Sequence, residues 1–261
     1  YGTDGTIWGG ELLLAREDGF RRLGSIQPFL QLGGDASARE GWRIAVSMIY
    51  ALTKDRAATL DIIRKLALCE ENTAKVQLTM ADRNINAVRS TSAGRLFDGV
   101  SAILGIRMAS TFEGEASTAL QYRAEAWNKA HPSTDTIPLE APEMDAEGFL
   151  TLPTDRLVQD ILTRRLAGES VDRLAMEFHR RLAGQIAGAV QAAREQTGLP
   201  AVALSGGVFQ NRLLLELTVE LLEQMKFRVL THHLVPPNDG GIALGQAVYG
   251  LKRLKLQKNE T

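Results

Sequence analysis

Apolar and polar residues change rhythm near residue 35. Before it, Thr6-Ile7-Trp8-Gly9-Gly10-Glu11 and the apolar stretch from Leu12 sit among glycine turns, a pattern that predicts a hairpin-like piece of sheet. Beyond it, apolar residues recur at helical spacing. Gly33-Gly34-Asp35 reads as a turn with Asp35 as N-cap, opening a helix over residues 36–53 that carries Trp42, Ile44, Ala45, Met48 and Ile49. The same rhythm predicts helices over 61–68, 71–84, 92–105, from about 112 to 129, over 157–163 and over 171–197. In the last of these Leu174, Phe178, Leu182, Ile186 and Val190 form the apolar stripe. Ala201 to Leu204 read as a short buried strand, followed by a glycine turn, a helix to about Met225 and a strand at Arg228-Val229-Leu230-Thr231.

Strands interleaved with helices predict an α/β protein. Pro132, Pro138, Pro142 and Pro153, set among Ser, Thr, Asp and Glu, mark a solvated connection or an edge strand and the best internal boundary. The expected organisation is a sheet-bearing segment over 1–35, a helical region over 36–131, a proline-rich connection over 132–156 and a second lobe over 157–261.

At 261 residues the chain is long enough for a full core, and its formal net charge of −1 argues against a broad nucleic-acid surface. No apolar run reaches bilayer-spanning length, so no membrane partner is expected. The single cysteine, Cys69, excludes an internal disulfide and reads as a packed helical residue; cysteine poverty points to the cytoplasm.

Two segments suggest a nucleotide. In Ser205-Gly206-Gly207-Val208-Phe209-Gln210-Asn211 a strand runs into paired glycines and the start of a helix, where backbone N–H groups can approach an anion. Pro236-Pro237-Asn238-Asp239-Gly240-Gly241 repeats the device, with Asp239 as N-cap or as metal ligand. Gly94 and Asp98 share a helix face near an N-terminus, where they meet a ribose or else serve as packing glycine and solvated acid. Glu113 and Glu115 read as first-turn dipole or capping acids, and His179 as a packed or capping histidine. Adjacent His232 and His233 would point to opposite faces of a strand and make a poor chelating pair.

In their order, Gly2-Thr3-Asp4-Gly5-Thr6-Ile7-Trp8-Gly9-Gly10-Glu11, Gly33-Gly34-Asp35, Gly94-Arg95-Leu96-Phe97-Asp98, Phe112-Glu113-Gly114-Glu115-Ala116, Ser205 to Asn211 and Asn238 to Gly241 resemble the C-terminal part of the HypF hydrogenase-maturation carbamoyltransferases. More distantly, the later motifs resemble TsaD, the threonylcarbamoyl-transfer protein of tRNA modification. The resemblance implies the two-lobed actin-like ATPase (ASKHA) fold, with the first lobe incomplete and a helical insertion. It implies that carbamoyl-adenylate, made from ATP in an upstream adenylate-forming domain, is delivered to the cleft. The carbamoyl group then passes to the C-terminal cysteine of a HypE-like acceptor, toward the cyanide ligands of nickel–iron hydrogenases.

Carried over by position, Gly2, Thr3, Asp4 and Gly5 match the first phosphate turn, Gly94 and Asp98 the ribose site, and Gly206, Gly207 and Asn211 the nucleotide loop. Asp239 matches a ligand of a divalent metal, zinc or iron, whose remaining ligands the family carries before the first glycine turn. Asp35, Arg95, Glu113 and Gln210 match family segments without a role that spacing supplies. No residue is assigned as nucleophile or general base; the attacking thiolate would belong to the partner. As a truncated piece the chain is expected to be inactive alone, and marginal or self-associating. An O-carbamoyltransferase of natural-product assembly and a non-catalytic nucleotide-binding or docking module are the alternatives.

Overall fold

The computed structural model describes residues 2–16, 19–132 and 135–259. Strands β1 (Glu11–Ala15) and β2 (Phe20–Ile26) form the hairpin that the alternation near the start predicts. Strand β3 (Phe29–Leu32) pairs antiparallel with β4 (Ala87–Ser90), and Ile7 adds a parallel bridge to Ser90. Between these two strands lie α1 (Gly41–Thr53), α2 (Arg56–Leu66) and α3 (Glu71–Asp82). Next come α4 (Ala93–Ile103) and α5 (Glu115–Ala130), then strands β5 (Glu143–Met144) and β6 (Leu150–Leu152), and helices α6 (Thr154–Leu166) and α7 (Val171–Thr197). The chain closes with β7 (Ala201–Ala203), α8 (Arg212–Gln224), β8 (Arg228–Leu230) and α9 (Ile242–Asn259).

The proline-rich stretch, of which Ser133 and Thr134 lie outside the described residues, joins the first sheet rather than floating free of it. That sheet runs β1-β2-β6-β5, with β2 and β6 parallel and β5 as the exposed edge strand. The approach to β5 lies against α7 at Gly184 and Gly188, where a Cβ would collide with the carbonyl oxygens of Pro138 and Glu140. Glycine here permits close approach of two backbones.

One apolar cluster, running from Ile26 to Phe227, ties the helical region to the later lobe. Phe97 of α4 meets Phe178 of α7 edge to face, with ring centroids 5.0 Å apart. A smaller cluster of Leu14, Leu23, Leu150 and Ala193 sits under the first sheet. Helix starts are fixed locally: the side chains of Asp55, Ser92, Ser170 and Asn211 accept N–H bonds at the first turns of α2, α4, α7 and α8.

Three local expectations need correction. Asp35 does not cap the long helix; it lies inside a 3-10 turn, Gly34–Ala38, closed by the Ser37 hydroxyl on the Gly34 carbonyl, and α1 begins only at Gly41. The paired glycines 206 and 207 do not open α8, because a 3-10 turn over Gly207–Gln210 intervenes and Asn211 supplies the cap. Nor does Asp239 act as a cap: Asn238 Oδ1 takes the Gly240 N–H at 3.1 Å, one residue earlier in the chain. In each case a short polar side chain bonding to nearby backbone displaces the helix start.

Candidate functional site

Helix α4 begins where the first sheet and the β3–β4 pair meet. Ser92 Oγ accepts the Arg95 N–H at 3.4 Å, and the Ala93 N–H reaches back to the Gly9 carbonyl at 3.2 Å. This start opens on a cavity of about 490 Å³ lined by Ile7, Gln31, Arg39, Ser92, Arg95 and Asp98, with residues 110–114 on the far wall. Of the sequence-predicted residues, Arg95, Asp98 and Glu113 line it together. Arg39 also faces it and was not anticipated, lying on a connection that carries no periodicity to mark it; Phe112, read only as part of the Phe112–Ala116 segment and a helix start, lies before α5 and faces the cavity too.

Asp98 is 6% exposed and pairs with Arg95 at 2.9 Å. Burial pushes its carboxyl up to about 6, against the pull of the Arg95 guanidinium. Arg95 also donates to the Ala38 carbonyl, which ties the pair to the 3-10 turn. A Cβ on Gly94 would meet only the Ser92 hydroxyl, at 3.7 Å, so packing does not demand glycine there. A buried carboxylate thus stands one helical turn from bare backbone.

The Gly2–Thr6 turn closes with the Gly2 N–H on the Thr6 carbonyl at 2.8 Å. Asp4 Oδ1 accepts from the Thr6 N–H and hydroxyl, at 3.0 and 2.7 Å, and from Trp8 Nε1 at 3.0 Å. These bonds, led by the Thr6 hydroxyl, hold the carboxyl of Asp4 below its ordinary range. Its oxygens therefore shape the turn.

The two later loops touch one another. The Gly206 N–H donates to the Pro237 carbonyl at 2.8 Å, so that amide serves the junction and is not left for an anion. Gly206 adopts φ 99°, where a side chain would be strained. The 3-10 turn that follows packs against α4. Gln210 and Asp239 are exposed. Asn211 is buried and bonded at both ends of its amide: Oδ1 accepts the Leu214 N–H at 3.0 Å, and Nδ2 meets His179 Nε2 at 2.9 Å. His179 is a packed histidine, the first of the two readings the sequence allowed, with Nδ1 on the Ala175 carbonyl at 2.7 Å.

His232 and His233 lie beyond β8 and turn to different partners, Ser205 Oγ and Thr231 Oγ1. Among the described residues no group of three or more His, Cys, Asp and Glu side chains is placed to hold a metal ion. Asp239 thus belongs to no such group among the described residues, and the residues present do not fit a metal cage. Cys69 is half-buried, and burial raises its thiol, which fits a packed residue and not a nucleophile. Among the described residues, no helix is long and apolar enough to cross a membrane.

Comparison with known proteins gives the family and the fold. Residues 1–246 match the family described as the carbamoyltransferase Kae1-like domain, second subdomain. The chain is 37% identical over 255 residues to carbamoyltransferase HypF of Rhodobacter capsulatus, covering 97% of this chain and 31% of that protein. It is 34% identical to a carbamoyltransferase HypF homolog of Cupriavidus necator, covering 94% of this chain and 61% of that one. Among solved structures, full-length HypF in a phosphate- and nucleotide-bound form superposes with a TM-score of 0.84 at 28% identity, covering 97% of this chain and 32% of that one. HypF of T. kodakarensis gives 0.82 at 25% identity, over 98% of this chain and 33% of that one. The chain thus spans about a third of the first HypF relatives it matches. Its α/β fold is theirs, the Kae1-like form of the actin-like ATPase architecture, and the chain belongs to the HypF carbamoyltransferase family.

Proposed function

We propose that this chain is the carbamoyl-transfer subdomain of a HypF-type protein. It would hold carbamoyl-adenylate, delivered by an upstream adenylate-forming domain, and pass the carbamoyl group to the C-terminal cysteine of a HypE-like acceptor. The product would serve synthesis of the cyanide ligands of nickel–iron hydrogenase. The observation that carries the reading is the buried Asp98 facing a cavity beside the unencumbered backbone of Gly94, with Arg95, Arg39 and Glu113 around it.

In this reading a ribose hydroxyl donates to the Asp98 carboxylate, relieving the cost of burying that charge. Arg95 and Arg39 give the wall a positive potential toward the adenylate phosphate. The acceptor thiolate attacks the carbamoyl carbon, the carbonyl oxygen takes up negative charge, and the bond to the phosphate oxygen breaks. AMP leaves with that electron pair, and the thiol ester of carbamic acid remains on the acceptor. Because the donor is already activated, this chain's part is to orient it and exclude water. The expected zinc or iron rests on the family resemblance alone, and none of these steps uses it.

Calorimetric titration with ATP and with a non-hydrolysable carbamoyl-adenylate analogue tests the reading. Saturable binding lost in a folded Asp98→Ala variant supports it. Transfer to a cysteine-ended acceptor peptide, and not to small alcohols, separates it from O-carbamoyl transfer. A folded wild type that binds neither ligand would refute it.

A further inference from the structure

We propose that Arg22 is a positioning residue that locks the Gly2–Thr6 turn to the start of α4, so that the phosphate and ribose ends of a nucleotide are gripped by one unit. The inference rests on the nucleotide reading above and names a residue that no motif brought forward.

Arg22 stands on β2 with its guanidinium largely covered, the side chain 18% exposed. Nη1 reaches Asp4 Oδ2 at 3.0 Å, on the turn. Nη2 reaches Glu11 Oε1 at 3.1 Å and Thr91 Oγ1 at 3.3 Å, the latter one residue before the Ser92 cap of α4. The guanidinium carbon lies 4.3 Å from the Trp8 ring centroid, and Trp8 itself donates to Asp4. Glu11, whose side chain is 7% exposed, uses Oε2 to accept the Gly9 and Gly10 N–H groups and meets the Thr91 hydroxyl with Oε1.

One planar cation therefore bridges two carboxylates from different segments and spans the turn, the Gly9-Gly10 link and the approach to α4. A lysine presents a single point charge and cannot hold both acids in this fork geometry. Without the cation, Glu11 is left as a buried charge with only dipoles around it, and Asp4 loses its anchor to the sheet. A carboxylate facing a phosphate would repel it. Asp4, though exposed, has its carboxylate held by Arg22, Thr6 and Trp8, which offsets its charge toward a phosphate at the turn.

Titration of the chain with AMP and with adenosine separates positioning from simple structural support. With Arg22→Gln, AMP should bind roughly tenfold more weakly while adenosine is held as before, because only AMP needs the phosphate turn. Arg22→Lys should restore part of the AMP affinity. Asp98→Ala should weaken both ligands, since both carry the ribose.

Equal weakening of both ligands by Arg22→Gln, or of neither, overturns the positioning role while the Asp98 result upholds the nucleotide reading. If the wild type binds neither ligand, or Asp98→Ala changes neither, the nucleotide reading itself falls. The coupling is then read by amide exchange in the unliganded chain. Faster exchange at Thr6, Gly9 and Gly10 together in Arg22→Gln supports the lock, and faster exchange at Thr6 alone overturns it.

Discussion

Asn211 Nδ2 stands 2.9 Å from His179 Nε2, joining the loop before α8 to the middle of α7. Because His179 Nδ1 lies on the Ala175 carbonyl, that nitrogen carries the proton and Nε2 accepts from the Asn211 amide. The neutral imidazole is enforced from both sides. Asn211 is thereby held by two bonds to protein, which makes it a clamp of the glycine loop on the core whatever else it touches.

The clamp predicts coupled stability effects. Asn211→Ala removes a helix cap, worth about 1 kcal/mol, and strands a buried acceptor, worth about 1–3 kcal/mol. His179→Ala opens a cavity beside Phe97 and Phe178. Urea unfolding of both single variants and the double should show coupling beyond about 0.5 kcal/mol, since the residues are in direct contact. Additive losses would mean that the bond contributes nothing to the fold. A loss of ligand by Asn211→Ala has to be judged against this unfolding cost.

Opposed pH dependence is expected from the two buried titrating groups. His179 is fully buried and held down to about 4, below its ordinary 6.5. Its contribution is whole above about 6.5 and falls as pH drops toward 4, by about 3 kcal/mol, because only the unfolded chain takes up the proton in that window. Asp98 runs the other way. Its folded value of about 6 exceeds the ordinary 3.8, so its contribution is whole below 3.8 and is lost as pH rises through 6, again by about 3 kcal/mol. Between pH 4 and 6 the two nearly cancel. Asp98→Asn should therefore stabilise the unliganded chain at pH 7, keep little advantage near pH 4, and expose the slope of His179. A gain that does not vary with pH in denaturant titrations would refute the assignment.

Helix α7 and most of the fold were legible because apolar residues at positions such as Leu174, Phe178 and Leu182 repeat at a period that only a helix buries on one side. The shared placement of Gly94 and Asp98 was legible for a different reason: they lie four apart on one short helix, so sequence spacing is spatial spacing. Arg39, Phe112 and Arg22 were not. Arg39 and Phe112 come to the cavity from irregular connections, and an arginine on a strand, as Arg22 is, looks like any solvated edge charge until the sheet brings Asp4, Glu11 and Thr91 around it. The loop starts misread at Asp35 and Asp239 were both displaced by a neighbouring polar side chain: Ser37 donates its hydroxyl to the Gly34 carbonyl and closes a 3-10 turn, and Asn238 accepts the Gly240 N–H.

Gly188 offers a test of the strap over α7. A Cβ there would collide with the Glu140 carbonyl, whose own side chain binds Arg181 and Gln185. Gly188→Ala should cost about 1–3 kcal/mol in urea unfolding, as forced overpacking does. Gly245 in α9 has nothing within 4 Å of a built Cβ, and its alanine variant should instead raise helicity at no such cost. Equal responses at the two positions would show that the strap does not press on α7.

In α9, Leu244, Val248 and Leu251 recur at i, i+4 and i+7 and all are exposed. A helix carries such a stripe to bury it, and in water the uncovered stripe seeks another apolar surface. At micromolar concentration the chain should sediment as more than a monomer. Val248→Glu with Leu251→Glu should return it to a monomer while the main unfolding transition stays in place, because α9 packs mainly on its own preceding turn and not on the core cluster. A wild type that sediments as a monomer at every concentration would show that the stripe is tolerated in water. A double variant that loses the main transition would show that α9 belongs to the cooperative core.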